Sequence, residues 1–196
     1  MSETNDLQQR LDVSEAKNRL NNWVAITVAI ISVFMAVSKV KDDNIVQAML
    51  QAKSDAVDSW NEYQSKKVKQ HMAELGLNQV KAMQVLAPAR GSEVLVAQQK
   101  NYQENIVRYQ AEEDVLMKKA KGFEKLYDDL NYRDDQFDLS DATLSISLAM
   151  LAIVALTGKR RLIALAWIFA GFGITMGLAG LLGLHLHLDA LSKLLS

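Results

Sequence analysis

Apolar positions fall into three long uncharged runs and one long stretch in which they recur at helical intervals among charges. The first run, Leu20 to Ser38, lies between Arg19 and Lys39. As a helix it reaches about 28 Å, close to the ~30 Å hydrocarbon core of a bilayer. Trp23 opens it, where an interfacial aromatic is expected. Glu3, Asp6, Asp12 and Glu15 precede it, unlike the basic leader of a cleaved signal peptide, so an uncleaved anchor is expected. The second run, Ala142 to Gly158, is shorter, and Ser140 or Asp141 could cap its start. The third, Leu162 to Leu184, is the longest. Only Lys159, Arg160 and Arg161 separate the last two runs, which predicts a tight helical hairpin with both ends on one membrane face.

The segment 42–137 reads as two long helices with a turn at 87–92. Pro88 cannot continue a helix interior, Gly91 frees the backbone to reverse, and Ser92 can cap the second helix. Each helix should hold roughly 40–45 residues. In the second, Leu95, Tyr102, Tyr109, Leu116, Phe123 and Leu130 recur every seven residues. Gln99, Ile106, Glu113, Ala120 and Tyr127 fill the companion positions, giving a coiled-coil seam. The first helix is looser: Ile45, Met49, Ala52, Ala56, Trp60, Tyr63, Val68, Met72, Leu75, Met83 and Leu86 lie nearer an eleven-residue repeat. Folding back at Pro88–Gly91 sets Glu113 opposite Lys66 and Lys67, Trp60 near Lys119 and Phe123 near Ala56. A Glu113–Lys66 or Glu113–Lys67 pair is therefore expected, and would fix the register. Val46, Leu50 and Val57 form a second apolar stripe beyond what one seam needs, which predicts a homo-oligomer.

The predicted fold is thus an all-α integral membrane protein. It has an amphipathic N-terminal segment (1–19), transmembrane helices at 20–38, 142–158 and 162–184, an extramembrane antiparallel hairpin (42–137) and a C-terminal tail (185–196). In the third run Ala166, Ala170, Gly173, Gly177 and Gly180 are spaced 4, 3, 4 and 3. Such a stripe lets helix backbones approach closely, either between protomers or onto the second span of the same chain.

Composition narrows the chemistry. The 196 residues include 22 Lys+Arg, 23 Asp+Glu, no Cys and one Pro. Without Cys there is no disulfide, thiolate metal site or Cys nucleophile. A net charge of −1 offers no global basic field for nucleic acid, and Lys66, Lys67 and Lys69 lack interleaved aromatics. The sequence holds no P-loop, dinucleotide, zinc-protease or serine-hydrolase signature. His185 and Asp189 would share a helix face while His187 points away, too few ligands for a closed metal site. His71 stands alone and reads as solvated. The run Asp128, Asp129, Asp134, Asp135, Asp138 and Asp141 fits no EF-hand and reads as a wet helix end. No catalytic, cofactor-binding or metal-binding residue is assigned, and an enzyme is not expected. No ionisable residue lies deep in any run, whereas ion-coupled transporters usually carry one. A passive pore lined by Thr27 and Ser32 of several protomers is the alternative to a purely structural role.

Basic residues in short loops stay cytoplasmic, while loops beyond about 60 residues count for little. Lys159–Arg161 therefore place the N-terminus inside, and the hairpin and C-terminus outside. Expected partners are the bilayer, further copies of the chain and an unidentified protein. The interaction residues are expected to be Trp60, Tyr63, Lys66, Lys67, Glu113, Gly173, Gly177 and Gly180.

Trp23, then Ser54-Asp55, then Trp60-Asn61-Glu62-Tyr63-Gln64-Ser65-Lys66-Lys67, resemble bacterial proteins of domain-of-unknown-function family 4337. The likeness extends to the layout of one span, a long helical middle and two spans joined by a short basic turn, and covers nearly the whole chain. Asn61-Glu62 depart from it, since less polar residues are expected there. The resemblance implies a bacterial inner-membrane protein and brings no activity with it.

Overall fold

The computed structural model describes residues 2–86 and 92–184. The described residues form three helices: α1 (Ser2–Leu86), α2 (Ser92–Thr157) and α3 (Arg160–Leu182). The turn residues 87–91 lie outside the described residues, as do 185–196 with His185, His187 and Asp189.

α1 runs for 85 residues and α2 for 66, so neither breaks where an apolar run meets a polar stretch. The reason is local. α1 contains no Pro and no Gly before Gly76, and α2 contains only Gly122. With every N–H available and few flexible positions, the backbone ladder continues whatever surrounds the side chains. Ser140 consequently lies inside α2 and caps no helix start.

The chain divides into two compact units, one of Met1–Gln47 with Leu130–Ser196, the other of Ala48–Asp129. In the first, α1, the end of α2 and α3 share a core of Leu20, Val24, Ile31, Leu144, Leu151, Val154, Ala166 and Ala170. Gly158, at φ +68°, ends α2, and its N–H donates to the Val154 carbonyl at 2.8 Å. Lys159 alone then separates Gly158 from α3. At the other end of α3, Gly183 adopts φ +67°, and the Leu184 N–H donates to the Ala179 carbonyl at 2.9 Å, a Schellman-type stop. α2 finishes that cap. Arg133 Nε and Nη2 donate to the Gly180 carbonyl at 3.2 and 3.0 Å, and Gln136 Nε2 donates to the Leu184 carbonyl at 2.8 Å. A cation and an amide thus satisfy carbonyls that a helix end leaves free.

Each helix contains a stretch long and apolar enough to cross a membrane. Only 17%, 33% and 33% of those stretches are buried in α1, α2 and α3. Ile26, Ile30, Val33 and Val37 of α1, Ile146, Ile153 and Leu156 of α2, and Leu165, Ile168 and Leu182 of α3 stand exposed.

In the second unit α1 and α2 pack antiparallel. The α1 seam is Ala52, Ala56, Ser59, Tyr63, Lys66, Gln70, Ala73, Leu77, Val80 and Gln84, all buried or half-buried. Its intervals alternate four and three, so the expected eleven-residue drift is absent along this face. Val68, Met72, Leu75, Met83 and Leu86, expected on the seam, are exposed at 56%, 67%, 63%, 55% and 83%. Small and polar residues take their place because the helices approach closely: a Cβ on Gly76 would lie 2.6 Å from the Tyr102 ring. The α2 seam is the heptad set, with Glu113 and Ala120 buried and the others half-buried.

Candidate functional site

Four of the expected interaction residues lie along one stretch of α1. Trp60 is half-buried, and its Nε1 donates to Glu124 Oε1 on α2 at 2.8 Å. The Trp60 and Tyr63 rings meet edge-on with centroids 5.4 Å apart. Lys67 Nζ stands 5.8 Å from the Tyr63 centroid, a cation–π distance. Lys66 turns to α2, where it binds Glu112 at 2.5 Å and stands 6.0 Å from the Tyr109 centroid. This corrects the expected register by one residue, since the partner is Glu112 and not Glu113. The Lys66 hydrogen bond, with the charges of Lys66, Arg108 and Lys69, holds the Glu112 carboxyl below its ordinary range. Glu113 is buried instead, and its Oε1 has no hydrogen-bond partner among the described residues. Trp60 takes Glu124 where Lys119 was expected; Lys119 instead stands over Phe123, 5.8 Å from its centroid.

Beside Trp60 lies a groove of about 260 Å³, lined also by Ala56, Val57 and Tyr127 and by the charged Lys53, Glu124 and Asp128. Lys53 Nζ stands 5.6 Å from the Tyr127 centroid. The groove thus combines two aromatic side chains and two small aliphatic ones with three charged residues. The sequence marks Tyr127 only as a seam residue and gives no sign of Glu124 and Lys53, because they join Trp60 only once the helices are paired.

The glycines belong to the first unit. A Cβ on Gly173 would lie 2.7 Å from Leu144 Cγ and Thr143 Oγ1. On Gly177 it would lie 2.7 Å from Phe34 Cε1 and Ser140 Oγ, and on Gly180 3.0 Å from the Phe137 ring. Of the two expected uses of the stripe, the structure displays the one within the chain. Ser147, fully buried, donates to the Ala166 carbonyl at 2.8 Å across the same contact.

The same unit gathers acidic residues. Lys39 Nζ lies 2.8 Å from Asp42 Oδ2 and 3.4 Å from Asp43 Oδ1. These partners, the Asp42 hydrogen bond foremost, push the Lys39 ammonium up. Asp134 is half-buried, and its carboxyl is pushed up to about 6, first by burial, then by its hydrogen bond with Asp42 and by the charges of Asp138, Asp42 and Asp135. Burial raises Asp135 and Asp138 as well, with Asp42 adding at Asp138. The wet-end reading suits Asp128, Asp129 and Asp141, which are exposed, but not Asp134 and Asp135. Among the described residues no group of three or more His, Asp or Glu side chains converges as a metal site.

The class is therefore an all-α protein of three long helices, each with a stretch apolar enough to cross a bilayer. The chain belongs to the family described as Domain of unknown function (DUF4337), whose model matches residues 20–183. No curated protein and no solved structure matches it.

Proposed function

We propose that this chain is a homo-oligomeric structural and interaction protein of the bacterial inner membrane. In this reading 20–38, 142–158 and 162–184 span the bilayer, and the antiparallel pair of α1 and α2 forms a coiled-coil hairpin in the aqueous phase. It catalyses no reaction.

One observation carries the reading: the apolar side chains that a single chain leaves uncovered. In the first unit they ring three helices at bilayer length, where acyl chains would solvate them. In the second unit Leu50, Val57, Val68, Met72, Leu75 and Met83 are all more than half exposed along α1, opposite the seam. A stripe of that length on a water-facing helix calls for a partner helix, and a second copy presents the same stripe. The exposed basic turn Lys159–Arg161 supports a cytoplasmic N-terminus with the hairpin outside.

The test is the mass of the detergent-solubilised particle. A protein mass that is a multiple of 21.8 kDa is expected. The double variant Met72→Glu, Leu75→Glu should reduce that mass while keeping the helical content. A monomeric wild type overturns the oligomer. A chain that stays compact in buffer without detergent overturns the membrane assignment. Single cysteines at Ser92 and Ser196 should react with an impermeant reagent in intact cells, and protection of both until lysis would invert the orientation. Salt-selective conductance in liposomes would favour the pore.

A further inference from the structure

At the Asp42 end of the first unit three buried oxygens lack hydrogen-bond partners among the described residues. They are Ser38 Oγ, Asp42 Oδ1 and Ser140 Oγ. Their residues are 7%, 5% and 1% exposed. Ser38, Asp42 and Ser140 line one cavity, which Met35, Lys39, Phe137, Asp141 and Leu144 complete. Its volume is about 10 Å³, room for a single body no larger than a water molecule. Polar atoms so placed cost stability unless something binds them.

The charge around the cavity selects what binds. α1 contributes Lys39, Asp42 and Asp43, and α2 contributes Asp134, Asp135, Asp138 and Asp141. α3 has no charged residue from 162 on. Lys39 is held between Asp42 Oδ2 and Asp43, which leaves Asp42 Oδ1 without a hydrogen-bond partner among the described residues. Arg133 is committed to the Gly180 carbonyl. One ammonium therefore faces several carboxylates. A carboxylate with two hydroxyls is a hard-oxygen set, and among the described residues too few acidic ligands converge for a divalent ion.

We propose that the cavity between Ser38, Asp42 and Ser140 binds one small monovalent cation of sodium size. The cation bridges α1 and α2, neutralises Asp42 Oδ1 and satisfies both hydroxyls. It competes with the proton that burial and the neighbouring Asp42 hold on Asp134.

The experiment measures the Tm of the full chain in detergent at matched ionic strength in the chlorides of sodium, caesium and N-methylglucamine. Sodium should raise Tm by several degrees over the other two, and increasingly so with the logarithm of its concentration. The sodium shift should shrink on acidification from pH 8 to 5, as protons take the site. Ser140→Ala removes a hydroxyl that has no protein partner, so the Tm without sodium should hold or rise while the sodium shift disappears. Ser38→Ala should behave alike, and Asp42→Asn should also remove the shift if it folds. Equal Tm values in the three salts overturn the proposal and leave a trapped water. A full sodium shift in Ser140→Ala and Ser38→Ala places the effect elsewhere and overturns it too.

Discussion

Two glycines two residues apart on α3 differ in surroundings enough to isolate the packing of that helix. A Cβ on Gly171 meets nothing within 4 Å, whereas one on Gly173 meets Leu144 Cγ and Thr143 Oγ1 at 2.7 Å. Neither neighbour yields easily. Leu144 is fully buried. Thr143 Oγ1 is tied to the Leu139 carbonyl at 2.8 Å and the Ser140 carbonyl at 3.1 Å. Gly→Ala in a helix interior is favourable by about 0.8–1.0 kcal/mol, and both variants gain that much in common. Forcing a methyl into a filled core costs about 1–3 kcal/mol, and only Gly173→Ala incurs it. Gly171→Ala should therefore be neutral or stabilising and Gly173→Ala neutral or destabilising. Their difference, about 1–3 kcal/mol, is the packing cost with the helix preference cancelled.

The assay is unfolding in mixed micelles of nonionic detergent and dodecyl sulfate, followed by circular dichroism, with particle mass measured on the same samples. Equal midpoints for the two variants, or a more stable Gly173→Ala, would refute the close approach of α3 to α2. A third result discriminates between uses of the stripe. If Gly173→Ala lowers the particle mass while the monomer's midpoint holds, the stripe serves an interface between protomers.

Single contacts give further expected outcomes. Ser147→Ala loses the buried bond to the Ala166 carbonyl and should cost about 0.6–1.7 kcal/mol in the same micelle titration; an unchanged midpoint would show that the bond contributes nothing. Glu113→Leu replaces a buried carboxylate that has an unpartnered oxygen with an apolar side chain at a seam position. It should raise thermal stability by about 1 kcal/mol, and a clear loss would mean that Glu113 has a partner. Asp134 is raised from 3.8 to about 6, so the folded chain holds a proton that the unfolded chain releases. Its contribution to stability therefore declines as pH rises from about 4 to about 6. Asp134→Asn should raise Tm above pH 6 and match wild type below about pH 4, and a gain that is independent of pH would contradict the assigned cause.

The membrane-length runs were legible because nineteen or more uncharged residues between Arg19 and Lys39, or after Arg161, need no tertiary information to be recognised. The α2 seam was legible from its large side chains at every seventh position, while Pro88 and Gly91, where the reversal is expected, lie outside the described residues. The α1 seam was legible only as far as Ala52, Ala56 and Tyr63. Beyond them the large apolar residues Val68, Met72, Leu75 and Met83 pointed to the wrong face, and the packed one runs through Lys66, Gln70, Ala73 and Val80. When two backbones come close, small residues mark the contact and large ones mark the outside, which inverts the usual rule of reading. The Lys66 pairing missed by one residue for a related reason: the heptad turns Glu113 inward, but a mean step of 3.5 residues does not settle which of two neighbouring glutamates meets a long lysine side chain, and Glu112 on the flank takes it. Trp60–Glu124 and the Ser38–Asp42–Ser140 cavity join residues more than sixty positions apart, and no periodicity connects them.

Close approach and polar satisfaction support each other in the first unit. Ser147 can reach the Ala166 carbonyl only because the contact face of α3 is built of Ala and Gly. A larger residue at 166 or 173 would hold the helices apart and leave the hydroxyl with its own helix. Arg133 and Gln136 depend in the same way on the C-terminal turn of α3 lying beside α2, which the contact of Gly180 with Phe137 allows. In the bilayer proposed above, apolar burial would offer little preference for one rotation of a helix over another, because acyl chains solvate any apolar face equally well. Directional bonds do discriminate. α3 therefore takes its distance from its glycines, and its rotation and depth from Ser147 at one level and from Arg133 and Gln136 at the other. Removing either bond set should loosen one end of α3 while leaving its helical content intact.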